Sequence, residues 1–210
     1  KVFASEAMQR AAYQALQIAA GAGFMRELPY EQFARDARIL PIFEGTNEIL
    51  RLYVALSCLK DVGEKLTELK SAAASIFNHP IKGFGLMSDY AERRFAQATG
   101  VGRDRVRHPL PAQLRPLADV YEKYATQLAS AADEALRKLG KRVADDQALQ
   151  KRIADILIDL FVGLCVISRA DAIARTDPAS AEQVYDIAKV FTRQARQRIS
   201  RNLRRITHND

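Results

Sequence analysis

The 210-residue sequence is poor in several features that define common protein classes. It has two cysteines, Cys58 and Cys165, both in apolar stretches of helical periodicity. This context predicts buried free thiols and argues against a disulfide framework or a metal knuckle. The longest apolar run, 156–167, is interrupted by Asp159 and is too short to span a bilayer. No stretch alternates between apolar and polar residues long enough to form a strand, so the sequence predicts an all-α fold.

Histidine is also scarce, with three residues in the chain. His79 and His108 lie in loops beside prolines, and His208 lies at the C-terminal end. No pair of them has metal-ligand spacing with a carboxylate. The sequence therefore predicts no metal site and three solvated histidines.

The net charge of +7 is confined to one end of the chain. Between Ile187 and Asn209 there are seven basic residues and no acid, whereas residues 1–186 carry 25 cations against 24 acids. One interpretation is a solvated helix face whose cations complement the helix dipole. Another is association with an anionic membrane surface, with Phe191, Ile199 and Ile206 on an apolar face opposite the arginines. Nucleic-acid binding is disfavoured, because no stacking aromatics or known module accompany the charge.

Apolar residues recur at helical spacing along most of the chain, which predicts helices stacked antiparallel through short loops. Gly21 and Gly23 are predicted to end the first helix, and 38–46 to form a buried connector. Tyr121 and Tyr124 fall on an apolar stripe and are predicted to be core residues with hydrated hydroxyls. The predicted helices span 2–20, 29–38, 47–70, 86–98, 117–139, 147–175 and 181–206.

Two acids on the helix predicted over 147–175 are interpreted as structural. Asp155 and Asp159 lie one turn apart. They are expected to form ion pairs with Arg152 or Arg169, or to face another helix.

The densest group of polar residues lies between 17 and 51, and it includes the segment FEGTNE at 43–48. Glu44 stands there between bulky apolar residues and a helix start. A carboxylate held with few water contacts has a raised pKa, which suits a general base. The alternative is that Glu44 only favours the positive end of the helix dipole. Both interpretations stay open on the residues alone.

Four segments, in order and spacing, resemble the end of the catalytic fold of acyl-CoA dehydrogenases. The resemblance is strong over 1–60. Beyond it, ILIDLFVGLCVISRA at 156–170 is similar to the helical extension of the very-long-chain branch and its complex I assembly paralogue. The four segments are Phe3-Ala4-Ser5-Glu6, Gln17-x-x-x-Gly21-x-Gly23-Phe24, Arg35-Asp36 and Ile42-Phe43-Glu44-Gly45-Thr46-Asn47-Glu48-Ile49.

The resemblance implies a domain organisation. Residues 1–60 correspond to the end of the family's C-terminal four-helix bundle, including the segment of the catalytic glutamate. Residues 61–115 correspond to an irregular linker with a short helix, and 116–210 to an appended antiparallel helical bundle. The sequence opens on Lys1 in the middle of a helical pattern, so we expect the true N-terminus to lie elsewhere.

The resemblance also implies site residues. Glu44 corresponds to the base that removes the α-proton of a long-chain acyl-CoA while hydride passes to N5 of FAD. Its backbone N–H helps to stabilise the enolate, and Gly45 lies against the substrate. Where the family usually has two glycines, this chain has Ala20-Gly21. The FAD-contacting positions are Gln17, Ile18, Ala19, Ala20 and Gly21, which reach FAD from the neighbouring subunit, and Thr46, Asn47 and Glu48.

The implied setting is a homodimer that passes electrons to electron-transfer flavoprotein. A bacterial cytoplasm and the matrix or inner-membrane face of a mitochondrion both fit, and a secreted protein does not. Because the domains that carry most of the acyl pocket are absent from the resemblance, we expect these 210 residues alone to be inactive. The alternative function is a non-catalytic helical interaction or assembly module that docks a subunit, a partner or a membrane.

Overall fold

The computed structural model describes residues 1–74 and 109–208, with side chains over 1–60, 109–140 and 142–206. Within these ranges every regular element is a helix, which confirms the all-α prediction. The chain divides into two compact units, Lys1–Val54 and Ala55–Asp210. The helix predicted over 86–98, together with His79 and His108, lies outside the described residues. None of the described helices is long and apolar enough to cross a membrane.

The first unit contains α1 (Val2–Phe24), α2 (Tyr30–Ile39) and the beginning of α3 (Asn47–Ala74). Helices α1 and α2 pack against each other. The large apolar side chains stay largely outside, with Ile18 84% exposed and Phe24 74% exposed. The unit therefore has a small core and a large apolar surface.

The first helix does not end where its glycines predict. It continues through Gly21 and Gly23 to Phe24, and its break falls at Ala20, where φ is 51° and ψ is −136°. A Cβ on Gly23 would lie 2.7 Å from the Leu16 carbonyl oxygen, so this glycine allows a close turn inside the helix. The left-handed residue is therefore an alanine, which is costly for a residue with a side chain.

The connector between α2 and α3 was expected to be buried, and this prediction is wrong. Ile42, Phe43, Glu44 and Gly45 are all exposed. The connector folds back on itself, because the Phe43 N–H donates to the Ile39 carbonyl at 3.1 Å. Its apolar side chains consequently point away from the small core of the unit.

The second unit contains three long helices, α4 (Arg115–Leu139), α5 (Gln147–Thr176) and α6 (Ala181–His208). Short 3₁₀ turns at Gly140–Ala144 and Pro178–Ser180 join them. Every pair of these helices is in contact, and the bounds agree with the predicted ones to within a few residues. The sequence-based prediction of a helical bundle with short loops is confirmed.

Contacts between α5 and α6 fix their relative direction. Arg152 on α5 donates to the Arg205 carbonyl on α6 at 2.8 Å, and Asp159 further along α5 pairs with Arg198 earlier on α6. The two helices are therefore antiparallel. Helix α4 runs parallel to α6, because Tyr121 of α4 contacts Thr192 of α6, and Tyr124, later on α4, contacts Ser200, later on α6.

The start of α5 is held by polar side chains. Asp146 is the N-cap, and its Oδ1 accepts a hydrogen bond from the Leu149 N–H at 2.9 Å. Gln150 is buried, and its Nε2 donates to the carbonyls of Val143 and Ala144, both at 2.8 Å. These bonds give partners to the Leu149 N–H and to the Val143 and Ala144 carbonyls, which have no partner within a helix.

The core of the second unit includes Tyr121 and Tyr124, as predicted. Their hydroxyls, expected to be hydrated, instead bond to side chains of α6. The Tyr121 hydroxyl donates to Thr192 Oγ1 at 3.1 Å, and the Tyr124 hydroxyl lies 2.6 Å from Ser200 Oγ. The Tyr121 ring lies directly over Gly163 of α5. Close approach of α4 and α5 thus depends on the missing side chain at that position.

The apolar side of the Arg-rich helix α6 faces the bundle. Ile199 is fully buried, and Phe191 and Ile206 are half-buried. These three residues thus share one side of the helix, as expected, and that side packs into the bundle. Arg193 and Arg196 are exposed. Membrane association of this helix stays a prediction.

The cysteines are less buried than their apolar neighbours predict. Cys165 on α5 is an exposed free thiol, and Cys58 on α3 is half-buried. Cys165 lies next to two exposed apolar residues of α5, Phe161 and Leu164. The apolar run of α5 therefore supplies both a core face and part of the outer surface.

Candidate functional site

Glu44 occupies a left-handed backbone conformation on the connector between α2 and α3. Its φ is 52°, and that of the following Gly45 is 85°. Glycine takes this region readily, whereas a residue with a side chain pays a steric cost. Glu44 is exposed in the described residues, so the expected shielding from water is not provided by this part of the chain.

The backbone N–H of Glu44 makes no hydrogen bond to any residue that the structure describes. Its neighbours differ, since the Phe43 N–H bonds to Ile39 and the Asn47 N–H donates to the Pro41 carbonyl at 2.9 Å. The Glu44 carboxylate likewise has no ion-pair partner among the described side chains. One residue therefore presents a carboxylate and a backbone donor that are both available to a ligand.

Lys1, which caps the start of α1, contacts this connector. Lys1 Nζ donates to the Gly45 carbonyl at 2.7 Å and lies 5.9 Å from the centre of the Phe43 ring. Both contacts are exposed to solvent, where a hydrogen bond or cation–π contact contributes little. Lys1 by itself is thus a weak restraint on the connector.

A stronger link joins the start of α3 to α1 through buried polar groups. Asn47 is 1% exposed, and its Nδ2 donates to Ser5 Oγ at 2.9 Å. The Ser5 hydroxyl, also buried, lies 3.0 Å from the Val2 carbonyl, to which it donates. Beside this pair, Arg51 forms a 2.8 Å ion pair with Glu6. The connector that carries Glu44 is therefore fixed to α1 through Asn47, at the connector's C-terminal end.

Thr46 and Glu48 form a polar start to α3. Thr46 Oγ1 accepts a hydrogen bond from the Ile49 N–H at 3.3 Å. The pKa of the exposed Glu48 is lowered, mainly because its own backbone N–H donates to the carboxylate and secondly because the Thr46 hydroxyl does. The positive charges of Arg51 and Arg38 add to this effect. The helix start consequently carries a well-solvated negative charge, which its dipole favours.

The five predicted cofactor positions on α1 surround the helix break. Gln17, Ile18, Ala20 and Gly21 are exposed, Ala19 is half-buried, and open space lies around Gly21. Ile18 is 13 residues from Ser5 along α1, which corresponds to roughly 20 Å at the helical rise. The structure therefore does not bring these positions together with Glu44 in one chain. No three His, Cys, Asp or Glu side chains in the described ranges come together as metal ligands.

Sequence reasoning missed the role of Ser5 and Arg51. Ser5 stands in the Phe3-Ala4-Ser5-Glu6 segment that carries the resemblance, but no role follows from its type alone. The side chain of Asn47, one of the predicted cofactor positions, is buried against Ser5. Its contact with a cofactor stays a prediction. The one signal in the sequence is that Ser5 falls on the side of α1 that also carries Val2 and Ala12, both buried.

Comparison with known proteins gives matches at both ends of the chain. Residues 1–59 match the family model described as acyl-CoA dehydrogenase, C-terminal domain. Residues 112–210 match the one described as ACAD9/ACADV, C-terminal domain. The chain belongs to the acyl-CoA dehydrogenase family.

Individual relatives agree with this assignment. The mitochondrial very long-chain specific acyl-CoA dehydrogenase of Rattus norvegicus is 32% identical over 213 residues, covering 100% of this chain and 32% of that protein. The Homo sapiens enzyme of the same name is 36% identical over 170 residues, covering 81% of this chain and 26% of that protein. The crystal structure of an acyl-CoA dehydrogenase complexed with FAD from Bacillus anthracis aligns with a TM-score of 0.71 at 25% identity, covering 98% of this chain and 32% of that one. The chain thus spans about a third of the length of its relatives.

Proposed function

We propose that this chain is the C-terminal part of an FAD-dependent acyl-CoA dehydrogenase that introduces the α,β double bond into long-chain acyl-CoA. The observation that carries the proposal is Glu44, an exposed residue whose carboxylate and backbone N–H have no hydrogen-bond or ion-pair partner among the residues that the structure describes. The proposed division of the chain is 1–60, 61–115 and 116–210. In this proposal residues 1–60 hold the chemistry of the chain.

Glu44 removes the α-proton of the thioester in the proposed reaction. That proton is far less acidic than a carboxylic acid, so its removal requires stabilisation of the enolate as charge develops. The Glu44 N–H donates to the thioester carbonyl oxygen, while the carboxylate of the same residue takes the proton. Gly45 leaves room for the thioester beside it.

The residues of this chain fit contacts with FAD at two separate places. FAD, when bound, accepts the hydride from the β-carbon. Thr46 and Glu48 lie within four residues of Glu44 at the start of α3, where Thr46 is half-buried and Glu48 is exposed. The α1 segment 17–21 lies roughly 20 Å away along the helix, at a break whose backbone groups face open space. We assign 17–21 to the FAD of the partner subunit in a homodimer.

The apolar surface of the first unit supports a role inside a larger assembly. Ile18, Phe24 and Tyr53 are among its most exposed side chains. A small unit with many exposed large apolar side chains usually contacts other protein through them. We propose that the remaining domains and the second subunit cover it. Electron-transfer flavoprotein is the proposed acceptor, in a bacterial cytoplasm or on the matrix or inner-membrane face of a mitochondrion.

The test is Glu44→Gln in the full-length enzyme. The amide keeps the size of the side chain but cannot accept the α-proton. We expect flavin content and acyl-CoA binding to persist while flavin reduction by acyl-CoA slows by about 10²–10⁴-fold. Glu27→Gln, an exposed change in the same unit, is the control. Near-normal turnover by Glu44→Gln would remove Glu44 as the base.

A second candidate is a non-catalytic interaction module. The observation that favours it is the outer surface of the second unit, where Phe161 and Leu164 on α5 and Ile187 and Val190 on α6 are exposed. If this candidate is right, the full-length wild-type protein has no acyl-CoA turnover. Glu44→Gln would then change nothing.

A further inference from the structure

We infer that the buried Ser5–Asn47 pair positions the Glu44 connector for proton removal, and that Asn47 is a positioning residue and not a cofactor contact. This inference rests on the proposed role of Glu44. Asn47 is 1% exposed, so its side chain is not available to a flavin or a substrate at the surface. Its amide nitrogen is already engaged by Ser5 Oγ at 2.9 Å.

Asn47 restrains the connector from two directions. Its backbone N–H donates to the Pro41 carbonyl at 2.9 Å, which closes the segment 41–47 into a loop with Glu44 in the middle. Its side chain fastens the end of this loop to α1 through Ser5, which in turn bonds to the Val2 carbonyl. The loop that carries Glu44 is thereby attached to a long helix at a single buried point.

Such a restraint is needed because Glu44 itself is held by little else. Its φ of 52° is a conformation that is costly for a non-glycine residue and persists only when its surroundings impose it. The Lys1–Gly45 contact is exposed, and no described side chain pairs with the Glu44 carboxylate. The buried Asn47 amide is therefore the principal side-chain anchor of this loop.

The flanking ion pair supports the same anchor from the surface side. Arg51 pairs with Glu6 at 2.8 Å; the Arg51 side chain is 14% exposed and that of Glu6 is 39% exposed. The Glu6 carboxylate keeps access to water, whereas a hydrogen-bonded amide without such access is costly to disrupt. We therefore place the positioning role on Ser5 and Asn47.

Displacement of the loop would move both the base and the backbone donor of Glu44 relative to the thioester. A misplacement of about 1 Å can lower a rate by about 10²-fold. Affinity for acyl-CoA depends on the whole length of the ligand and changes less. The inference therefore predicts a selective loss of kcat with little change in KM.

The experiment compares Ser5→Ala, Asn47→Ala and the double variant in the full-length enzyme. Gln32→Ala, an exposed change on α2, serves as the control. Three quantities are measured: amide hydrogen exchange of 42–46, kcat and KM with acyl-CoA, and the isotope effect with α-deuterated substrate. Ser5→Ala removes the same hydrogen bond with a smaller change in volume, and it carries the test if Asn47→Ala does not fold.

We expect faster exchange over 42–46, a 10- to 100-fold lower kcat and a larger α-deuterium isotope effect, because proton removal becomes slower than the other steps. The double variant should lose no more than Asn47→Ala, since Asn47→Ala already removes the bond to Ser5 together with the 3.4 Å bond to Glu6. Ser5→Thr keeps the hydroxyl and should keep most of the rate. Faster exchange with an unchanged kcat and isotope effect would overturn the positioning role. A normal rate for Glu44→Gln would instead refute the proposed function and leave the exchange result unaffected.

Discussion

Arg198 on α6 binds Asp159 on α5 through a two-pronged ion pair that lies mostly inside the bundle. Arg198 Nη2 is 2.7 Å from Asp159 Oδ1, and Nε is 3.0 Å from Oδ2. The Asp159 side chain is 8% exposed, whereas that of Arg198 is 35% exposed and lies 5.8 Å from the Phe191 ring. The hydrogen bonds to Asp159 raise the pKa of Arg198. Asp159 therefore has little access to water if Arg198 is removed, whereas Arg198 can reach solvent if Asp159 is removed.

The first prediction is that removing the arginine is more harmful than removing the acid. Arg198→Gln leaves a carboxylate with little access to water, which should lower the free energy of unfolding by about 3 kcal/mol. Asp159→Asn keeps an acceptor and leaves a cation that can reach solvent, so the loss should be about 1 kcal/mol. Urea unfolding of the 210-residue chain measures both. Equal losses would show that burial of Asp159 does not control this pair.

The second prediction concerns Tyr121, which is 2% exposed. Desolvation raises its pKa above the ordinary value of 10.0, although the hydrogen bond with Thr192 opposes the shift. Above pH 10 the unfolded chain loses this proton while the native chain keeps it. Because the native state then binds more protons, stability falls as pH rises.

Tyr121→Phe removes this proton and the hydrogen bond together. Near neutral pH we expect the variant to be less stable by about 1 kcal/mol. The difference in the free energy of unfolding between wild type and variant should shrink above pH 10, because the wild type loses stability there. Denaturant unfolding between pH 8 and 11 measures this difference. Parallel pH profiles for the two proteins would contradict the assignment of the shift to Tyr121.

The third prediction is that Gly163→Ala destabilises the bundle. A methyl group there would collide with the Tyr121 ring, which is buried and has no room to move. We expect a loss of about 1–3 kcal/mol from overpacking, against a gain of about 1 kcal/mol in helix propensity. Cys165→Ala, on the exposed side of the same helix, is the control for unfolding. Stabilisation by Gly163→Ala would mean that α4 and α5 can separate without cost.

The fourth prediction concerns the break in α1. Ala20 has a positive φ of 51°, so Ala20→Gly should relieve strain of about 1–3 kcal/mol and raise the melting temperature. Ala11→Gly is the matched control, because Ala11 is exposed within regular α1 helix and should lose about 1 kcal/mol. If both substitutions destabilise the chain equally, Ala20 is not strained.

Long-range periodicity made the three helices of the second unit predictable. Between Leu117 and Ile206 the apolar residues repeat over many turns, so the observed bounds differ from the predicted ones by a few residues. The partner of Asp159 was left open, since one-dimensional spacing offers Arg152 and Arg169 on the same helix as readily as a residue elsewhere. Its actual partner lies 39 residues away on α6. Pairing across helices depends on how their faces meet.

At the candidate site the resemblance of FEGTNE to the family's motif predicts Glu44 as the base, whereas the residues alone leave its role open. Its exposure, the burial of Asn47 and the positive φ at Ala20 were not foreseen. The type of a residue says which contacts it can make, but not which of them the packing will supply. The side-chain amide of Asn47 could form hydrogen bonds with a cofactor as readily as with Ser5.

By itself, the sequence determined the helical class and the bounds of the long helices, because these depend on local periodicity; the candidate base was predicted from the resemblance of a short motif. Tertiary structure alone decided that Ser5 and Asn47 meet across 42 positions, that Arg198 pairs with Asp159, and that the apolar side of the basic helix faces the core. Each of these outcomes requires two distant segments to occupy the same space. Their energies come from excluding water at that contact, which no local pattern specifies.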